Sequence, residues 1–375
     1  MHLIAMDPVL IINLSRWFGG AEVRVFDIAS ALEGRCPYGV VTLEHSSLHE
    51  KLQKAKLNVL ALPFSRGDFR LALSILRIIK KHGYMIVDMH NPQSHLWGMI
   101  ASKMAGLSRT VTTVHNSRDL TAPFIKTLLY EKVMQMNALL DSNFIAVSPS
   151  VHKYLTTLHI RSERISMVPN GIAIPDPSRN HDRSELRRSF GWDENHFVVI
   201  VVGRLESVKG HAFLIEALKS VVQIHSNIRC FFAGDGRERH ALQSQVKASN
   251  LENYVHFAGF REDISSLLAA SDLFCMPSLS EGLPYALLEA CACRLPVLVT
   301  QVGGMAEFLK QGETAVMVSP QNAETLSKGL LSMIEDPRKA KAMGDAAFEL
   351  VRQQLSIEKM ISKTLSIYSG LGNET

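Results

Sequence analysis

Two carboxylates, Glu281 and Glu289, share the segment Ser278-Leu-Ser-Glu-Gly-Leu-Pro-Tyr-Ala-Leu-Leu-Glu-Ala290. Pro284 suits the first position of a helix, which puts Gly282 and Leu283 at an N-terminus where a phosphate is stabilised. Glu289 then lies within that helix, and helical side chains lean toward the N-terminus, so both carboxylates can face one ligand. Carboxylates accept hydrogen bonds from vicinal hydroxyls, the groups that ribose and hexose rings present. Glu281 could instead be a capping residue and Glu289 a solvated one. Glu289, however, is flanked by Leu287, Leu288, Ala290 and Cys291, where an unpaired carboxylate would be costly. A second group, Gly203-Arg204-Leu-Glu-Ser-Val-Lys209-Gly210, follows the apolar run Val198–Val202. A guanidinium holds phosphate through two parallel N–H bonds and an ammonium adds a point charge, so Arg204 and Lys209 together can neutralise a diphosphate. Gly234-Asp-Gly236 reads as a tight turn near such a ligand. Gly19 and Gly20 open a helix whose free N–H groups suit an anion, although a plain turn would look the same.

These groups need a scaffold, and the chain alternates short apolar runs with amphipathic ones. Strands are expected at Val9–Leu14, Val40–Leu43, Val59–Leu62, Met85–Met89, Thr110–Val114 and Phe144–Val147, with helices at Ala21–Leu32 and Phe69–Lys81. The segment Pro169–Pro177 carries three prolines and a glycine and reads as a hinge. After a short helix near Ser184–Phe190 the alternation resumes, with strands at Phe197–Val202, Ile228–Ala233, Val255–Phe257, Leu273–Met276, Pro296–Thr300 and Ala315–Val318. Helices are expected between them at His211–Val222, Glu238–Ala248, Ile264–Ala270, Pro284–Cys293 and Met305–Leu309, followed by Ala323–Glu335 and a terminal helix Ile357–Tyr368. Strands separated by helix-length segments imply right-handed crossovers and parallel sheets covered on both faces. Ligands of such sheets bind outside the C-terminal strand ends, where the motifs above fall.

Composition agrees with this class. The 375 residues exceed what one core usually serves, and 46% hydrophobic with 20% charged residues is ordinary globular chemistry. Residues 1–175 hold 19 basic and 12 acidic side chains against 21 and 24 beyond, so the first half could meet an anionic surface or present a solvated basic face. With 7% aromatics, mostly inside apolar runs, a nucleic-acid platform gains little support. The five cysteines lack a disulfide pattern and fit a reduced cytosol. No signal peptide or bilayer span is evident, so a cytoplasmic protein is expected, with contact at the inner membrane face as an option.

In order and spacing, Gly-Gly-Ala-Glu at 19–22, Val-Pro-Asn-Gly-Ile at 168–172, Gly-Arg-Leu with Lys-Gly at 203–210, and Gly-Asp-Gly at 234–236 form a specific set. Phe-Ala-Gly at 257–259, the carboxylates 281 and 289, and Val-Gly-Gly-Met-Ala-Glu at 302–307 complete it. The combination resembles the retaining glycosyltransferases of family 4. The likeness implies a GT-B architecture, α/β, with two doubly wound Rossmann-like domains facing each other across a cleft. Residues 1–172 would form the acceptor-side domain and 173–350 the nucleotide-sugar domain, with 351–375 a C-terminal helix packing back toward the first.

By the same resemblance Arg204 and Lys209 hold the diphosphate, Glu289 the ribose hydroxyls and Glu281 the transferred sugar, while Gly282 and Leu283 give backbone N–H groups. The family often has Phe where Leu283 stands. His115, in Thr-Val-His-Asn after a strand, matches a histidine that contacts the donor sugar. His90, Asn91 and Asn116 are candidates for the acceptor side; His95 and Trp97 read as packing residues. The implied partners are a UDP- or GDP-sugar and a saccharide or lipid-linked acceptor of surface polysaccharide or glycolipid synthesis. Lys51, Lys54, Lys56, Arg66, Arg70, Arg77, Lys80 and Lys81 are candidates for an anionic lipid surface. Positive groups stabilise the leaving diphosphate as the anomeric carbon becomes oxocarbenium-like, and Glu281 is open to a nucleophilic or a stabilising role. With no D-x-D at a strand end and no His/Cys cluster, neither metal nor cofactor is expected. A sugar-nucleotide epimerase of the same architecture and a silent sugar-nucleotide-binding subunit are the alternatives, and the retained Arg204, Lys209, Glu281 and Glu289 speak against both.

Overall fold

The structure, a computed structural model, describes residues 6–117, 123–175 and 183–371. They divide into two compact units, one comprising 6–117, 123–170 and 357–371 and the other 171–175 and 183–356.

The first unit is a seven-stranded parallel sheet. Its strands are β1 (Val9–Asn13), β2 (Tyr38–Leu43), β3 (Val59–Leu62), β4 (Ile86–His90), β5 (Thr110–Val114), β6 (Asn143–Ala146) and β7 (Ile165–Met167), in the order β3-β2-β1-β4-β5-β6-β7. Between them run α1 (Gly20–Leu32), α2 (Ser47–Lys54), α3 (Arg70–His82), α4 (Pro92–Met104), α5 (Phe124–Leu139) and α6 (Pro149–Thr157). Side chains alternate across a strand, so a sheet covered on both faces needs strands that are apolar throughout. β1 meets this: Val9 and Ile11 pack with Val25, Ile28 and Leu32 of α1, while Leu10 and Ile12 pack with Leu71 and Ile75 of α3. Helix starts follow local sequence. Asn91 caps α4 by accepting from Ser94 N at 3.1 Å ahead of Pro92, and Ser148 caps α6 through Val151 N ahead of Pro149.

The second unit opens with α7 (Arg183–Ser189) and holds six parallel strands: β8 (Phe197–Val202), β9 (Ile228–Ala233), β10 (Val255–Gly259), β11 (Leu273–Met276), β12 (Val297–Thr300) and β13 (Val316–Val318). Their order is β10-β9-β8-β11-β12-β13. The covering helices are α8 (His211–Ile224), α9 (Arg239–Ala248), α10 (Ile264–Ala270), α11 (Tyr285–Ala292), α12 (Gly303–Phe308), α13 (Ala323–Glu335) and α14 (Pro337–Gln354). The same alternation divides β8, with Val199 and Val201 in one apolar cluster and Val198 and Ile200 in the other. All five cysteines are free thiols. No helix among the described residues is long and apolar enough to cross a membrane.

Three sequence expectations shift. The hinge at Pro169–Pro177 contains the boundary between the units, after Asn170; its last two residues lie outside the described ones. Residues 351–375 are not one element. α14 continues to Gln354 and stays in the second unit, where Ala347 and Val351 are buried with Leu287 and Leu288 of α11. Only α15 (Ile357–Gly370) joins the first unit, through Met360, Ile361 and Tyr368. The chain leaves α14 at Leu355, whose carbonyl accepts from Ile172 N at 2.9 Å. Pro284 is the N-cap of α11 rather than its first helical residue, because its ψ of 133° is extended.

Both sheets reverse their strand order once, between β1 and β4 in the first unit and between β8 and β11 in the second. In open parallel sheets the crevice outside the strand ends at such a reversal is the ligand position.

Candidate active site

In the second unit the reversal brings together residues 72 positions apart. Lys209, in the loop after β8, donates from Nζ to Glu281 Oε1 at 2.5 Å, and Glu281 lies in the loop after β11. Ser278 Oγ donates to the same Oε1 at 2.6 Å. Glu281 is buried at 5% exposure and the Lys209 side chain retains 21%, so the pair sits at the edge of the crevice with its cation reachable from solvent. Arg204 is exposed on the turn that leaves β8, and among the described residues its guanidinium makes no hydrogen bond or ion pair. Two cations and a held carboxylate around one strand reversal can receive a phosphorylated, hydroxyl-rich ligand.

The loops carrying these groups approach each other at distances that exclude a side chain. A Cβ on Gly303, where φ is +50°, would stand 1.8 Å from the carbonyl oxygen of Glu281. Gly304 N in turn donates to Gly282 O at 2.7 Å, so the start of α12 fixes the Glu281 loop from behind. Gly234 plays the matching part after β9: its φ is +157° and a Cβ there would meet Gly203 O at 1.9 Å. Gly203 and Gly234 thus shape the turn that presents Arg204. Leu283 is buried at 2% among the apolar residues of the second unit. Glu289 is half-buried on α11, one and a half turns beyond Pro284. His211, the first residue of α8, is buried, and burial together with the nearby Lys209 charge pushes its ring down to about 3. The sequence reading did not single out Ser278, Gly303 or His211. Ser278 and Gly303 stood inside the quoted motifs; the position of His211 directly after Lys209-Gly210 was its only signal.

In the first unit the reversal gathers amides and imidazoles. Asn13, at the end of β1, donates to Glu22 Oε1 at 2.9 Å and accepts from Asn91 Nδ2 at 2.9 Å. Asn91 sits at φ +78°, and its Oδ1 takes both Ser94 N and Ser94 Oγ, so its side chain braces α4. Gly19 is the N-cap of α1 in an extended conformation that any residue adopts, with Gly20 the first helical residue. His90 was expected on the acceptor side; it is fully buried instead, with Nδ1 at 3.0 Å from His115 Nε2 and Nε2 at 3.1 Å from Asp88 Oδ2. The reason is its position as the last residue of β4, on the same face as Asp88 two residues earlier. His115 is half-buried just beyond β5. Burial, then the neighbouring His90, Arg24 and His95, holds its ring far below the usual imidazole range. Asn116 beside it is exposed. His95 is buried with Nε2 near Met89 O and Thr113 O, and Trp97 donates to Arg66 O at 3.0 Å.

Of the basic residues in α2, α3 and their loops, Lys51 lies over the rings of Phe18 and Phe26, Arg66 donates to Gln93 and Arg70 pairs with Asp68. Lys54, Lys56, Arg77, Lys80 and Lys81 are exposed. Among the described residues no group of three or more His, Cys, Asp or Glu is placed to hold a metal ion.

Two family models match the chain, one described as glycosyltransferase family 4 over residues 18–174 and one as glycosyl transferases group 1 over residues 182–350. The chain is 26% identical to the UDP-Gal:alpha-D-GlcNAc-diphosphoundecaprenol alpha-1,3-galactosyltransferase of Escherichia coli, covering 80% of this chain and 79% of that protein. It is likewise 26% identical to the N-acetyl-alpha-D-glucosaminyl L-malate synthase of Bacillus anthracis, over 80% and 78% of the two chains. Among solved structures, Anabaena HepE in complex with UDP-glucose superposes with a TM-score of 0.85 at 25% identity, covering 97% of this chain and 99% of that one.

Proposed function

Since this chain belongs to the family 4 glycosyltransferases of GT-B fold, we propose that it moves a hexose from a nucleotide-diphosphate sugar to a saccharide or lipid-linked saccharide acceptor with retention at the anomeric carbon. The observation that carries this reading is the Lys209–Glu281 pair beside Arg204 at the strand reversal of the second unit. A UDP-sugar is favoured over a GDP-sugar, because HepE was solved with UDP-glucose and the Escherichia coli relative is named for UDP-Gal.

Arg204 and Lys209 take the diphosphate, and their charge replaces a metal ion as it leaves. Glu289 receives the ribose hydroxyls, and the backbone N–H groups of Gly282 and Leu283 face donor oxygens. Glu281 acts as an electrostatic stabiliser of the oxocarbenium-like carbon rather than as a nucleophile, because its Oε1 is already shared by an ammonium and a hydroxyl. In the reaction the bond from the anomeric carbon to the diphosphate oxygen breaks and the acceptor oxygen bonds to that carbon on the same face. The acceptor proton passes to the departing phosphate oxygen. His115 contacts the donor sugar, and Asn116 lies on the acceptor side. The place of action is the cytoplasmic face of a membrane when the acceptor is lipid-linked, with Lys54, Lys56, Arg77, Lys80 and Lys81 as the groups that meet anionic headgroups.

The test is a panel of UDP-, GDP- and ADP-sugars scored by thermal stabilisation, followed by transfer assays with the stabilising donor. Arg204→Ala is expected to lower turnover at least about 10²-fold. Near-normal turnover in that variant, or no stabilisation by any nucleotide sugar, would refute the proposed chemistry. A donor that is epimerised with no acceptor present would shift the reading to an epimerase.

A further inference from the structure

Behind His115 the first unit holds a chain of buried polar side chains to which the scheme above gives no part. Tyr368 of α15 donates its hydroxyl to Asp88 Oδ2, and Thr113 Oγ1 donates to Asp88 Oδ1 at 2.8 Å. Asp88 Oδ2 stands 3.1 Å from His90 Nε2, a close contact without the alignment of a strong hydrogen bond. His90 Nδ1 is 3.0 Å from His115 Nε2. Asp88, His90 and Tyr368 are wholly buried, and His115 Nδ1 is shielded from solvent without a partner.

We propose that Asp88, His90 and Tyr368 are positioning residues that place the single ring proton of His115 on Nε2 and leave Nδ1 as an acceptor for a hydroxyl of the donor sugar. The inference rests on the reading of His115 as a donor contact. A carboxylate only accepts, so the His90 nitrogen facing Asp88 carries hydrogen, and a neutral imidazole then has a bare Nδ1. A bare nitrogen 3.0 Å from His115 Nε2 requires the proton on the latter. In this relay His90 carries one ring proton, and Arg24, wholly buried and permanently charged, acts on the same His115 ring. Arg24 is held by Val168 O, Asn170 Oδ1 and Thr364 Oγ1, so α15 supplies both Thr364 and Tyr368 to this network. Burial raises the Asp88 carboxyl, but its contacts with His90, Tyr368 and Thr113 outweigh that and leave it below its usual range, while burial beside Asp88 keeps the Tyr368 phenol protonated.

The experiment is two-bond proton–nitrogen correlation on full-length protein carrying ¹⁵N-histidine, with the His115 signals identified from His115→Gln. The expected result at neutral pH is a protonated Nε2 and a bare Nδ1 for His115. In Asp88→Asn an amide N–H faces His90, so the tautomers of both rings should invert and the donor KM should rise about 10-fold. A His115 protonated at Nδ1 in the unaltered protein overturns the proposal, as does an Asp88→Asn variant that keeps the original tautomer. Tyr368→Phe removes one hydroxyl and little volume, so it serves if Asp88→Asn does not fold. It should retain the tautomer and raise the donor KM about threefold, and an unchanged KM removes Tyr368 from the relay. Because the nitrogen signals need no substrate, an inverted tautomer with an unchanged donor KM would overturn the sugar contact of His115 separately from the relay.

Discussion

Lys209→Met separates two jobs that the structure gives to one ammonium. Lys209 pairs with Glu281 at 2.5 Å, and in the proposed reaction it grips the diphosphate. Removing one partner of a fully buried ion pair costs about 3–5 kcal/mol. Lys209 is 21% exposed and Ser278 still holds the same carboxylate oxygen, so the expected loss of stability is about 1–3 kcal/mol. Adding Glu281→Gln removes the stranded charge, and the double variant should regain about 1–2 kcal/mol as a coupling energy. Turnover should behave differently. Lys209→Met should lose at least about 10²-fold, and the double variant should recover none of it, because the missing cation belongs to the departing phosphate. Stability is read by urea unfolding at Trp192, which is buried with Leu283 and Leu287 in the second unit, after Trp17 and Trp97 are replaced by Phe. Additive stability effects would show that the pair is not coupled. Recovered turnover in the double variant would show that Lys209 serves only to hold Glu281, and the diphosphate role would fall.

Gly303→Ala places a methyl 1.8 Å from Glu281 O at a left-handed φ of +50°. The backbone must shift, and a displacement near 1 Å at the Glu281 loop should lower turnover about 10²-fold while donor-free stability falls by about 1–2 kcal/mol; steady-state kinetics near those of the parent would mean the loop gives way harmlessly. Incubation with chelator should leave transfer intact, and loss restored by added Mg²⁺ would replace the two-cation scheme with a metal-assisted one. Burial holds the His95 ring at about 4, against an unfolded value near 6.5. Between those values the unfolded chain takes up a proton that the native one refuses, so stability should fall as pH drops from about 6.5 to 4, by up to about 3 kcal/mol from this residue. Asp88, whose native carboxyl is depressed, adds its loss only below the unfolded carboxylate range. Urea midpoints across this window should flatten by about one proton in His95→Gln; an unaltered slope would exclude His95 as its source.

The fold was legible because both sheets are parallel and covered on both faces. That environment demands apolar runs such as Val198–Val202 and Val9–Asn13, and such runs stand out between helix-length amphipathic stretches. What escaped is what lacks this demand. α2 is short and polar, visible only through its Ser46 cap, and β7 is a three-residue edge strand whose middle and last residues are not buried. The terminal boundary was misplaced for a related reason. α14 and α15 are both amphipathic, and nothing in their periodicity tells that Ala347 and Val351 serve one core while Met360 and Tyr368 serve the other.

The site was legible by loop and not by partner. Residue type and position after a strand were enough to single out Arg204, Lys209 and Glu281 as candidates, with His115 added through the family resemblance, because the C-terminal strand ends at a reversal are where parallel sheets present ligands. Pairing needs the third dimension. Lys209 and Glu281 were expected on different parts of the donor and prove to hold each other, while His90 was expected to face a ligand and instead stands between Asp88 and His115. Spacing gives no sign of the Tyr368–Asp88 bond, which joins positions 280 residues apart. The Lys209–Glu281 and Tyr368–Asp88 contacts supply buried polar groups with the partners that burial requires. A polar residue inside an apolar run, such as Asp88 between Val87 and Met89, was therefore a signal that some partner had to exist, without saying which. The lost information is the identity of partners, and that is why the roles of Glu281 and His115 rest on measurements that break their contacts one at a time.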